Sequence, residues 1–299
     1  MDHLQIVPLA VRQASPTQRI QRRVISARLL EKLCAIIPVE SIRKDLAPCA
    51  KMLCQDPNAT VRTAIAQRLS VIAQSLNNST DCVSMLLPCL IELCKDDDPG
   101  VREAILNTIA VCLPYFTKES RKTVVIPLLK KCTDQSLILR DSSLAVVSKQ
   151  LGPWLYALKD ILSPSEQRWF LETFCRIVNL NAPESDKNLQ NLALNCRRMC
   201  AFNFPCFAMI YTNETFNEKL LPILEKFCSD QDEEVRSTIA AGFHEIVLLR
   251  PNESALLTVF IDLVKSGAVE VVQHLVKNLN KILPIFYAIA KIEQEKKPP

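Results

Sequence analysis

Four times along this chain a cysteine is followed two residues later by aspartate, seven later by an aliphatic residue and eight later by arginine. The copies are Cys54/Asp56/Val61/Arg62, Cys94/Asp96/Val101/Arg102, Cys132/Asp134/Leu139/Arg140 and Cys228/Asp230/Val235/Arg236. Pro48, Pro88 and Pro222 each stand six residues before the cysteine, and Pro127 stands five before. A motif recurring at a period near 40 residues is the mark of stacked helical repeats. Such an array presents a long surface in place of a single globular centre.

One period read from Leu46 gives its local structure. Pro48 fits the first turn of a first helix, where its missing N–H costs nothing. Ala50, Leu53 and Cys54 then form an apolar stripe at helical spacing. Gln55-Asp56-Pro57-Asn58 is turn chemistry. Val61, Ala64, Ile65, Leu69, Ile72 and Ala73 give a second helix one apolar face. The other units read alike, with second helices ending near Pro38, Pro114, Pro251 and Pro284. The prolines therefore read as punctuation between helices, not as breaks within them. The first apolar residues of the second helices are Val24, Val61, Val101, Leu139, Cys196, Val235 and Val271, which gives about seven units. The spacing stays near 40 residues except between Leu139 and Cys196, where polar residues 179–191 read as an inserted loop. The expected architecture is an all-α solenoid of helix pairs in a curved superhelical array. It is expected to run as one array over 1–299, with degenerate terminal units.

Only 4 glycines occur in 299 residues, too few for the tight turns of a β-rich protein. The recurring acid and base have a structural use. The aspartate can cap the second helix, and the arginine lies in that helix's first turn. In neighbouring repeats about 10 Å apart they can meet as a ladder of ion pairs. Arg62 is expected to reach Asp96, or Asp56 an adjacent turn. Asp56, Arg62, Asp96, Arg102, Asp134, Arg140, Asp230 and Arg236 are thus the candidate ladder, or the turns that face a partner.

No catalytic constellation is legible. His3, His244 and His274 are scattered, and no phosphate-binding loop or Ser/His/Asp set occurs. Cys196, Cys200 and Cys206 lack the paired spacing and neighbouring histidine that zinc favours. The sequence points to no enzyme, no metal and no cofactor. Lys and Arg number 36 against 32 Asp and Glu, a net +4 with the signs interspersed, so no nucleic-acid footprint is expected. Most of the 13 cysteines sit beside leucine and alanine on helix faces and read as buried apolar residues in a reducing compartment. With no signal peptide or membrane span legible, a cytoplasmic location is expected.

The unit Pro-x5-Cys-x-Asp-x4-Val-Arg, best seen over residues 46–62, resembles the HEAT repeat. The segments at 23–33, 53–56, 66–74 and 87–93, and above all RRMCAFNFP at 197–205, resemble the regulatory subunits of protein phosphatase 4. That resemblance implies a non-catalytic regulatory or scaffolding partner of a type 2A-related serine/threonine phosphatase. The implied partners are the catalytic subunit and substrate proteins. A transport adaptor for cargo or a small GTPase, or a general protein-interaction adaptor, is the alternative, though transport arrays are generally longer and acidic.

Overall fold

The first helix of each pair begins about nine residues before its proline, not at it. A computed structural model of the chain, describing residues 3–266 and 268–296, shows helices and no strand among those residues. Their order is α1 (His3–Gln13), α2 (Ile20–Cys34), α3 (39–54), α4 (Ala59–Ala66), α5 (Leu69–Leu76), α6 (79–93), α7 (Pro99–Cys112) and α8 (118–139). There follow α9 (Ser143–Leu158), α10 (Pro164–Val178), α11 (Lys187–Ile210), α12 (213–228), α13 (Glu233–Leu249), α14 (Ala255–Lys265), α15 (Val269–Lys277) and α16 (Leu279–Lys296). The molecule is an all-α solenoid of helix pairs.

Helices α3, α6, α8 and α12 share one construction. Each opens with a short α turn, widens into a five-residue π turn and then returns to α-helix. The π turns are Ile42–Leu46, Cys82–Leu86, Arg121–Val125 and Phe216–Leu220. Pro48, Pro88, Pro127 and Pro222 lie two residues beyond them. A mid-helix proline lacks an N–H and drives its ring into the carbonyl four residues back. The π turn opens the spiral at that point, so the N–H of Ala47 reaches the carbonyl of Ile42, five residues back. These prolines are therefore internal, and the caps lie upstream: Asn78, Thr117 and Thr212 accept first-turn N–H groups through their side chains. Pro8, Pro153, Pro205 and Pro284 are also inside helices. The reading of proline as punctuation holds at Pro38, Pro114 and Pro251, which follow the ends of second helices, and fails at Pro284.

Contacts divide the chain into two compact units, the division falling within α9. One comprises residues up to Gln150 with Asp160–Ser163; the other comprises Leu151–Lys159 with residues from Pro164 onward. In the first unit the second helices α2, α4 and α7 lie side by side, and α3 packs on α6. Leu53, Val61, Ile65, Ile72, Leu93, Val101, Ile105 and Ile109 are fully buried between these layers. Neither layer could hide that much apolar surface alone, which is why hairpins of this size stack.

In the second unit α11 packs on α13 and α13 on α15, while α10 lies against α11 and α12 against α14. Its core is aromatic. Phe174 stacks on Phe207 at 4.1 Å between centroids and meets Phe204 and Phe227 at 6.4 and 6.5 Å. Ring pairs in offset and edge-on arrangements contribute beyond their buried area. Small residues bring the backbones together here. A Cβ on Gly152 would lie 2.4 Å from Asn203 Oδ1, and one on Gly242 would lie 3.0 Å from Pro205 Cγ.

Two boundaries differ from expectation. Helix α8 continues through Asp134 and stops only at Arg140, which takes a left-handed conformation at φ 50°. The second helix of that pair then starts at Ser143, not at Leu139. Likewise α11 starts at Lys187, so Cys196 lies in its interior and residues 187–191 are helical, not loop. These two shifts account for the long apparent spacing between Leu139 and Cys196.

Leu53 and Leu93 hold equivalent buried places at the ends of α3 and α6. Replacing Leu93 with alanine is expected to lower unfolding free energy by about 2–5 kcal/mol, measured by urea titration. A loss below about 0.5 kcal/mol would show that the site repacks freely.

Candidate partner-binding surface

At the turns between first and second helices the structure builds a repeated three-way arginine clamp. Arg62, in the first turn of α4, directs Nε and Nη2 onto Asp96 Oδ2 and Oδ1 at 2.6 and 2.8 Å. Its Nη1 donates to the carbonyl of Asp56, in its own turn, at 2.8 Å. Asp96 Oδ1 in turn accepts the N–H of Asp98 at 3.0 Å. One guanidinium thus locks its own turn and grips the next. The forked geometry suits arginine because its donors lie in one plane matched to a carboxylate.

The same clamp recurs on both sides. Arg23 binds Asp56 at 2.6 and 3.0 Å, and its Nη1 donates to the Gln18 carbonyl at 2.5 Å. Both side chains are nearly inaccessible, at 8% and 3% exposure. Arg102 reaches forward to Asp141 and back to the carbonyls of Asp96 and Asp97. In the second unit Arg197 binds Asp230 at 2.8 and 3.4 Å, and beside it Arg198 binds Asp232 at 3.1 and 2.9 Å.

Of the eight candidate residues, the structure joins Arg62 directly to Asp96. Asp56 and Asp230 are in rungs whose arginines, Arg23 and Arg197, the repeated motif did not pick out. Arg102 pairs with Asp141 in place of Asp134. Asp134 lies inside α8 and Arg140 is its left-handed C-cap, so the third copy of the motif does not form the turn between two helices that the others do. Arg236 completes only half a clamp: Nη1 donates to the carbonyls of Asp230 and Gln231 at 2.5 and 3.1 Å. The helix caps also fall two residues later than expected. Asn58, Asp98 and Asp232 cap α4, α7 and α13 through their side chains, while Asp56, Asp96 and Asp230 each accept the N–H of that capping residue. Arg23 and Arg197 could have been found, since each adjoins an apolar residue already chosen to mark its second helix.

The electrostatics follow the geometry. Burial works to raise Asp96, but the hydrogen bonds from Arg62 and the Asp98 N–H outweigh it and hold the carboxyl below its usual range. The Arg198 hydrogen bond does the same for Asp232. The thiols behave oppositely: Cys54, Cys94 and Cys228 are buried behind the turns and pushed up, the first two by hydrogen bonds to Cys89 and Cys132 and then by burial, the last mainly by burial. Thiols so placed are poor nucleophiles. Cys196 and Cys200 are buried in α11, while Cys206 Sγ donates to the Gly152 carbonyl at 3.4 Å. His244 sits half-buried on α13 with its Nδ1 lacking a hydrogen-bond partner.

A second surface, unforeseen from the sequence, opens in the second unit between the end of α9, α11 and α13. It is a groove of about 740 Å³ floored by Gly152, Pro205 and Gly242 and walled by Tyr156, Phe202, Met209, Leu248 and Leu249. Phe202 is 66% exposed and Tyr156 52%. Side chains of this kind, clustered and left open to water, make the groove a candidate contact surface. Phe202 lies within RRMCAFNFP.

Residues 86–116, spanning the end of α6, the Asp96 turn and α7, match the HEAT repeat family model. Over 287 residues, 92% of the chain, it is 28% identical to serine/threonine-protein phosphatase 4 regulatory subunit 4 of Homo sapiens and 27% identical to that of Mus musculus. The chain carries a HEAT repeat and resembles those subunits along most of its length. The chain spans about a third of their length, 33% in each case. Among solved structures, an engineered protein matches 82% of the chain and 97% of its own at 16% identity and a TM-score of 0.47. A designed armadillo repeat protein matches 81% of the chain and 99% of its own at 16% identity and a TM-score of 0.45. No helix among the described residues is long and apolar enough to cross a membrane.

Because the folded-state pKa of Asp96 is depressed, its contribution to stability is complete above the ordinary carboxylate value of 3.8 and is lost as pH falls through the lower folded value. Unfolding free energy from urea titrations is expected to fall below about pH 4, and to fall less steeply in Arg62→Gln. Parallel curves for the two proteins would refute the assignment.

Proposed function

We propose that this chain acts as a non-catalytic regulatory or scaffolding subunit of a type 2A-related serine/threonine phosphatase of the protein phosphatase 4 kind. The observation that carries this reading is the similarity to regulatory subunit 4 along 92% of the chain. The stacked helix pairs support it, since a repeat array offers broad surface for a partner. The groove of the second unit supports it further. It supplies exposed aromatic and aliphatic anchors of the type that dominate binding energy at protein interfaces. In this reading the catalytic subunit contributes the chemistry, and the solenoid holds it and biases its choice of substrate.

The test is direct binding of the purified chain to a purified protein phosphatase 4 catalytic subunit, followed by calorimetry. Saturable binding is expected, with no hydrolysis of a phosphopeptide by the chain alone. Phe202→Asp should weaken binding by about 10-fold or more while leaving the melting temperature nearly unchanged, because the side chain is exposed. Absence of binding by the parent protein would overturn the proposal. Binding unaffected by Phe202→Asp would remove the groove from it.

A further inference from the structure

Arg236 repeats the first half of the Arg62 and Arg102 clamps and lacks the second. Its Nη1 holds the carbonyls of Asp230 and Gln231, as Arg62 holds Asp56 and Arg102 holds Asp96. In the rungs of Arg23, Arg62 and Arg197 the Nε atom is bound to the carboxylate of the following turn. Arg236 Nε is instead buried without a hydrogen-bond partner. A guanidinium N–H in that state is costly, and the other rungs show what normally satisfies it.

The missing group can be located by position. Asp56, Asp96 and Asp230 each stand three residues before the first residue of a second helix, namely Ala59, Pro99 and Glu233. The next second helix, α15, begins at Val269, and three residues before it stands Ser266. Arg236 and Ser266 line one cavity of 390 Å³ in the second unit. Ser266 is exposed at the end of α14, with its hydroxyl donating only to the local carbonyl of Leu263 at 2.6 Å. A hydroxyl therefore occupies the place of the rung's anion.

We propose that Ser266 is a phosphorylation site and that its phosphate closes this open rung on Arg236. A protein kinase would transfer the γ-phosphoryl group of a nucleoside triphosphate. The Oγ–P bond forms as the bond to the leaving diphosphate breaks, and the hydroxyl proton passes to the kinase's base. The product carries close to two negative charges at neutral pH and strong acceptor oxygens for the free edge of the guanidinium. One more oxygen can take the Ala268 N–H, as Asp56 takes that of Asn58. That matters because α15 has no side-chain cap of its own. Asp262, which also lines the cavity, stands four residues before Ser266; Glu92 stands likewise before Asp96 in a closed rung, so an acid at that place is compatible with closure.

The proposal is independent of any phosphatase partner. The full chain carrying phosphoserine at 266, introduced by codon expansion, is compared with the unmodified chain by hydrogen exchange. Phosphorylation should slow exchange in α14 and α15 at least several-fold, and Arg236→Gln should abolish the effect. Unchanged exchange, or slowing that persists in Arg236→Gln, would overturn closure of the rung. Chain isolated from its own cells with phosphatase inhibitors should yield a phosphorylated Ser266 peptide by mass spectrometry. Its consistent absence would overturn the modification.

Discussion

Burying a guanidinium is costly without an anion, and in each closed rung of this protein the anion belongs to the following turn. Arg23, Arg62 and Arg102 in one unit each hold backbone carbonyls close in sequence and reach the following turn through a carboxylate, and Arg197 in the other reaches the following turn in the same way. Apolar burial drives the hairpins together but is indifferent to small slides along the helix axes. The rungs are directional. Removing either partner of a buried pair leaves a charge stranded, which is why such pairs enforce one alignment more effectively than they add stability.

The π turns serve the same end from the other side of the hairpin. Each lets a first helix run on past its proline without losing more than local hydrogen bonding. The apolar face beyond the proline therefore reaches the turn intact, with Leu53, Leu93 and Phe227 fully buried there. In the second unit the fit is made differently. Gly152, Pro205 and Gly242 let three helices approach closely, and the shallow floor they leave becomes the groove beneath Phe202. Close backbone packing and an exposed aromatic rim are two consequences of the same small residues.

Much of this was legible in the sequence, and the failures have physical causes. The helix pairs, the buried cysteines and the Arg62–Asp96 rung follow from periodicity and spacing. The third copy misled because Thr133-Asp134-Gln135-Ser136 has neither the proline of Gln55-Asp56-Pro57-Asn58 nor the capping acid of Asp96-Asp97-Asp98-Pro99. Nothing there stops the helix, so α8 runs on to Arg140 and Asp141 inherits the rung. The internal prolines misled because a π turn has no sequence signature of its own. The groove could not be read at all, since Phe202 in isolation is one more apolar residue on a helix. Its exposure depends on how closely α9, α11 and α13 cross.

The dependence of the stack on its rungs is tested most directly by a double-mutant cycle on Arg62 and Asp96. Unfolding free energies are measured for the parent chain, Arg62→Gln, Asp96→Asn and the double variant. A favourable coupling of about 1–3 kcal/mol, with either single variant close to as damaging as the pair, is the predicted result. Additive losses with no coupling would contradict it, and would leave apolar burial alone to set the alignment of the repeats.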